Sequence, residues 1–462
     1  VLNANVQEQA TGELQLSAGF SSLESFILQG SIRQRNFRGR GQTVGLSAST
    51  SYYSKSVNAS FLEPYMFDKN ISLGVDIYRK DVNNSNYYSD AEDMTFNQVT
   101  TGFQVRTGVP LSEYTSLIGR YTLNFDDVTL DPETYYTDNN SDGTLGNSED
   151  DTCNPLLAGR YLCEALGNRS SSIVGASLVY DRLNNRQRPT SGHTATVSLD
   201  VAGLGGSERY AKLRLNTAKY FNLGSNFILS LSGEAGYIKG LKDNGAGENS
   251  VRLTDRFFLG DPQMRGFDIR GVGPRVLREY YTFDDDGNVA LDDSGNYVMY
   301  SDPDDPDDDA LGGNAYYLAR AEIEIPLGAG MREMGLRPTI FLDAGAVFGL
   351  ATPSLIDTGP TYCTSLCDAD GNPLYLNDQG TDETTDDVYN STGGTDFELV
   401  GTTTTGFREV FLGNTAKPRI AIGVGVNWNS PFGPFRVDFS KILAKQPGDD
   451  AKSITFNIGT QF

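Results

Sequence analysis

At 462 residues the chain has room for two or three ordinary domains or for one large barrel. Sixty acidic against 37 basic side chains leave a net charge of −23, which excludes nucleic acid as an expected partner. No apolar run approaches the roughly 18 residues of a membrane-crossing helix, and no basic-then-apolar leader opens the chain. Val1 therefore reads as a point within a longer mature protein, or as the start left after processing.

From the amino end onward the dominant signal is alternation with a period of two. It predicts strands over residues 12–20, 26–37, 42–53, 56–64, 71–82, 94–109, 115–130 and 171–185. Eight more follow over 193–204, 209–223, 226–241, 314–327, 336–350, 418–431, 433–443 and 453–462. In "RYAKLRLNT", Ala211, Leu213 and Leu215 oppose Lys212, Arg214 and Asn216. In "RIAIGVGVNW", Ile420, Ile422, Val424, Val426 and Trp428 share one face. Many segments exceed the roughly 5–6 residues usual in soluble sheets and match the roughly 9–11 that a tilted strand needs to cross a bilayer.

The connections sort by parity. The long ones are the fifth (83–93), seventh (131–170), eleventh (242–313) and thirteenth (351–417), whereas even ones are tight, as in "RGRG" at 38–41 and "LG" at 224–225. Long loops on one side and short turns on the other mark an outer-membrane barrel. A propeller would show blade-length repeats, which are not seen. Lipid offers no hydrogen bonds to a free strand edge, so the strands must close into a ring. The expected fold is all-β: a 16-stranded antiparallel transmembrane β-barrel forming one domain over 1–462. Residues 1–11 are a lead-in, 131–170, 242–313 and 351–417 are long extracellular loops, and both termini are periplasmic.

Cys153/Cys163 and Cys363/Cys367 form two close pairs without CxxC spacing, and the lone His193 cannot complete a zinc site with them. Two local disulfides in an oxidising compartment is the plainer reading. Between the first pair, "NPLLAGRYLCEALGN" reads as helical, with Leu156, Leu157, Tyr161, Leu162 and Leu166 as an apolar stripe capping the barrel's outer mouth. The acidic runs within 284–309 and 357–398 read as solvated loops. "DADGN" at 368–372 lacks the distal Glu of a calcium loop. No metal or cofactor is expected, and nucleophilic catalysis has little to stand on.

The eleventh connection carries "DPQMRGFDIRGVGPR" (261–275), where Arg265, Arg270 and Arg275 ride on a backbone broken by glycine and proline. Glu322 falls on the polar face of the twelfth strand, and Asp343 falls opposite Ile340, Leu342, Ala344 and Ala346 on the thirteenth. Both carboxylates should therefore face the lumen. A guanidinium can bond two carboxylates through its fork, and burying any one of these charges alone costs on the order of several kcal/mol. Mutual pairing of Arg265, Glu322 and Asp343 is the expected arrangement; scattered lumen charges are the plainer alternative. Gly266 would let the backbone approach the wall, and Phe267 could wedge between side chains.

"MRGF" with the downstream "GPR" resembles the VRGF/IRGF motif of the BamA family of outer-membrane β-barrel assembly factors, which sits in the sixth extracellular loop between strands eleven and twelve. "NVQEQATGELQLSAGFSS", "RNFRGRGQ", "FLEPYMF", "WNSPFGPFRVDFSKIL" and "ITFNIGTQF" resemble family patterns too, so the resemblance spans essentially the whole chain. Met264 stands where the family usually has Val or Ile, and the family's periplasmic POTRA domains are absent from this sequence.

The resemblance implies that the sixth loop folds into the lumen, with Arg265 reaching Glu322 and Asp343. It also implies the bacterial outer-membrane bilayer as surroundings, unfolded β-barrel proteins as clients, and accessory lipoproteins that dock mainly on the absent periplasmic domains. Clients would enter at a lateral seam of Leu14, Leu16, Ala18 and Phe20 against Ile454, Phe456, Ile458 and Phe462, in a register that the sequence leaves open. Sheet edges are templates for new strands, and an incoming strand satisfies them by β-augmentation. Such work makes and breaks no covalent bond, so the chain is not expected to be an enzyme. Two other readings stay open: a related translocation or autotransporter-assembly barrel, and a passive diffusion porin.

Overall fold

The computed structural model describes all residues except 1–10, 22–24, 86–93, 138–151, 243–249, 302–307, 329–334, 366–373, 378–387, 393–397, 400–401, 431–432 and 459–462. Its main sheet has sixteen strands. The first seven are β1 (Gly12–Ser21), β2 (Ser25–Phe37), β3 (Gln42–Thr50), β4 (Ser54–Glu63), β5 (Ser72–Ser85), β6 (Met94–Pro110) and β7 (Thr115–Thr129). Next come β8 (Gly167–Leu183), β9 (Gly192–Gly206), β10 (Tyr210–Gly224), β11 (Phe227–Gly240) and β12 (Ala315–Glu324). Last come β13 (Leu336–Phe348), β14 (Arg419–Ser430), β15 (Gly433–Ala444) and β16 (Ile454–Ile458). Each strand is antiparallel to the next, and β16 returns to β1 to close the barrel.

Alternation explains which face is which. Leu213, Leu215, Ile340, Leu342, Ile422, Val424 and Val426 are large apolar side chains left exposed on the outside. Their neighbours Arg214, Phe341 and Asp343 point the other way, because successive strand side chains alternate. An apolar outer belt on a closed ring fits lipid, where no water could satisfy a free edge. The lumen face is charged and paired: Arg120 donates to Asp200 at 2.5 and 2.9 Å, and Arg214 donates to the other oxygen of Asp200 at 2.9 Å.

By internal contact the chain forms two compact units. The first comprises Val1–Pro274, Leu311–Ala351 and Gly413–Phe462, and it holds the barrel. The second comprises Arg275–Ala310 and Thr352–Leu412. In the second unit Arg275–Tyr281 pairs with Phe407–Leu412 along one edge, and with Asp308–Ala310 and Met299–Tyr300 along the other. The acidic run there is more than a solvated loop. Asp284 accepts from the backbone N–H groups of Asp286 and Asn288, and Asp292 accepts likewise from Ser294 and Asn296. Short acidic side chains thus shape two successive turns.

Cys153 and Cys163 are disulfide-bonded. Cys363 is disulfide-bonded as well, while Cys367 and the "DADGN" stretch lie outside the described residues. The 154–168 stretch is two short helices, Pro155–Ala158 and Arg160–Ala165, because Gly159 breaks the run at φ 77°. Asn154 caps the first by accepting from the N–H of Leu156. Leu162 and Ala165 pack with Val128, Leu130 and Leu253, whereas Leu157 is exposed.

Candidate functional site

The hook of residues 261–275 enters the site through a tight turn. Gly266 has φ 91°, a region that L side chains avoid, and a Cβ there would lie 2.8 Å from the Cβ of Ala421 on β14. That close approach lets Arg265 reach the wall. Its Nε donates to Asp343 Oδ2 at 2.8 Å, Nη2 to Asp343 Oδ1 at 2.6 Å, and Nη1 to Glu322 Oε2 at 2.6 Å. Its backbone N–H adds a 3.2 Å bond to Asp343. Glu322 comes from β12 and Asp343 from β13, so one side chain ties two adjacent strands. The guanidinium also lies 3.6 Å from the centre of the Phe341 ring, stacked on its face.

Asp343 is 0% exposed and Arg265 is 7% exposed. Burial alone would lower the affinity of Arg265 for its proton. The hydrogen bonds and charge of Asp343, with Glu322 behind them, reverse that and hold it above its ordinary value. Glu322 also stands 3.5 Å from Arg436, which is itself forked onto Asp438. Phe267 is fully buried and packs with Leu259, Met264, Val272, Leu318, Val347 and Ala421. Met264, where the family motif has Val or Ile, fills that same apolar pocket.

A second anchor was missed by sequence reasoning. The turn between β15 and β16 lies along the hook. Asp450 accepts from the N–H of Asp268 and donates to the carbonyl of Gly271. Lys452 donates its N–H to Gly266 and its Nζ to Asp268, with Asp261 3.8 Å away. Farther along, Arg419 at the start of β14 forks onto Asp449, both side chains 0% exposed. The remaining Arg419 donors reach the carbonyls of Gly413 and Thr415. Arg419 and Asp449 are 30 residues apart with no motif linking them, so the sequence carried no signal for the pair.

At the closing seam Phe20 faces Ile458 and Ser21 faces Asn457, a register that the sequence left open. Leu14, Leu16 and Ala18 pair with Ile32, Gly30 and Leu28 of β2, and Ile454 and Phe456 pair with Phe439 and Val437 of β15. Phe462 lies outside the described residues. A shift by an even number of residues keeps every side chain on its face, so alternation could not fix this register. Across the seam the Phe20 and Phe456 rings stack with centroids 5.7 Å apart.

Among the described residues no His, Cys, Asp and Glu cluster could hold a metal ion. The geometry defines a transmembrane-type barrel whose inward loop is clasped by an arginine fork. The Omp85 superfamily domain matches residues 36–462, and the chain belongs to that superfamily. It is 24% identical over 465 residues to the outer membrane protein assembly factor BamA of Neisseria meningitidis serogroup B, covering 100% of this chain and 48% of that protein. It is 23% identical to BamA of Neorickettsia risticii, covering 46% of that protein. The chain thus spans about half the length of these relatives. The crystal structure of Haemophilus ducreyi BamA lacking POTRA domains 1–3 superposes with a TM-score of 0.64 at 22% identity, over 99% of this chain and 71% of that one. That likeness establishes the shared barrel fold.

Proposed function

We propose that this barrel assembles and inserts β-barrel proteins into the bacterial outer membrane, receiving client strands at the seam between β1 and β16. The match of the Omp85 superfamily domain to residues 36–462 supports the reading, together with the hook clasped inside the closed barrel. In lipid, unpaired strand edges are costly, and an incoming strand lowers that cost by β-augmentation. The free energy then comes from the client's own edge pairing and apolar burial, so the chain acts without covalent catalysis. Its surroundings are the bilayer and unfolded barrel clients, with both termini on the periplasmic side. Accessory lipoproteins would engage periplasmic domains that this sequence does not include. A porin reading is less favoured, because the clasped hook and its apolar pocket occupy lumen space that a diffusion channel keeps open.

The test is a double variant, Phe20→Cys with Ile458→Cys, which places two thiols on directly opposed residues. Opposed residues of an antiparallel pair stand about 4.5–5.5 Å apart at Cα, within disulfide reach. Oxidation should block client insertion and reduction should restore it. Insertion at the unmodified rate by the fully crosslinked protein rejects the seam.

A further inference from the structure

The outer belt has a notch. One transverse row runs Leu14, Ile32, Leu46, Ala59 and Ile77 across β1 to β5, nearly all bulky. The next row toward the long-loop side runs Leu16, Gly30, Ala48, Val57 and Arg79. Gly30 and Ala48 leave an open apolar groove of about 1000 Å³ in its middle. Leu16 leans over the glycine, so that a Cβ there would come within 3.2 Å of its methyl group.

The third row closes the groove with Ala18, Leu28, Thr50, Lys55 and Asp81. Lys55 is the second residue of β4, at the edge of the belt, and both it and Arg79 are exposed. Among the described residues neither has an ion-pair partner; Arg79 donates to Thr101 at 3.1 Å, and Asp81 sits across from Lys55 without closing to ion-pair distance. Two cations therefore border an apolar trough on the outer face, against one carboxylate.

The geometry points to a lipid site: one membrane lipid with an anionic phosphate headgroup binds here, its phosphate on Lys55 and Arg79 and an acyl chain lying over Gly30 and Ala48. Long basic side chains at a belt edge reach toward the headgroup layer, and anionic headgroups attract them. The chain's methylenes replace the contacts that two missing side chains would have made. The inference needs the barrel to be bilayer-embedded and does not depend on client assembly.

The test reconstitutes the full chain in phosphatidylcholine bilayers doped with either of two photoactivatable lipids. Both carry a diazirine in the acyl chain; one has a phosphoglycerol headgroup, the other phosphocholine. Adducts are mapped by peptide mass spectrometry. The phosphoglycerol probe should label β1 to β4 several-fold more than the rest of the belt, and more than the phosphocholine probe does. Lys55→Gln with Arg79→Gln should remove the headgroup preference, and Gly30→Leu with Ala48→Leu should remove the local enrichment for both probes. Retention of barrel closure in each variant is checked by heat-modifiable electrophoretic mobility. Even labelling around the belt, or equal labelling by the two probes, overturns the site. Neither result bears on the seam, because no client is present.

Discussion

Arg419 and Asp449 lock together as a solvent-free bidentate pair, and this fixes the turn before β16 to the first residue of β14. Removing one partner strands the other charge where water cannot reach it, which costs about 3–5 kcal/mol. Asp449→Asn should therefore lower the urea midpoint and raise amide exchange across 445–453. Unchanged exchange there would show that the pair does not hold the turn.

Arg265→Ala leaves Asp343 buried without its cation, and the expected loss of stability is again about 3–5 kcal/mol. Arg265→Lys keeps the charge but cannot span Asp343 and Glu322 with one planar fork, so it should recover only part of the loss. Equilibrium unfolding of the three proteins in one detergent measures both steps. Equal stability of all three would remove the clasp from the account.

Gly266→Ala should be nearly as harmful as loss of the fork, although it deletes nothing. The positive φ costs about 1–2 kcal/mol, and the new methyl meets Ala421. A second change, Ala421→Gly, should relieve the collision but not the backbone strain. Additive losses in the double variant would place the cost elsewhere.

Burial pushes the Asp261 carboxyl up to about 6; Lys452 opposes the rise, and Asp268 and Asp438 add to it. The folded state thus holds this proton more tightly than the unfolded chain, whose Asp titrates near 3.8. The stability tied to the protonated form is full below about pH 4 and is lost as pH climbs through about 6. Asp261→Asn should flatten that part of the profile, seen as a smaller fall in unfolding midpoint between pH 4 and 7. A slope unchanged by the substitution assigns the titration to another group.

The strands were legible because a lipid-facing belt forces alternation, and β14 follows it through Ile420, Ile422, Val424 and Val426. The residues of the hook were legible for a different reason: glycine, arginine and an aromatic within one loop make little sense in solvent. Pairing across long separations left no such trace. Asp449 lies in "QPGDDAK", which reads as an ordinary polar turn, and nothing marks it apart from Asp450 beside it. The sheet around Arg275–Tyr281 was hidden because its strands are short and set among aspartates, which rarely occupy strands.

The bonds from 449, 450 and 452 act on the closing strand as a bracket screwed to a door frame. In the seam-opening reading proposed above, β16 would part from β1 with its amino end still held to the hook and to β14.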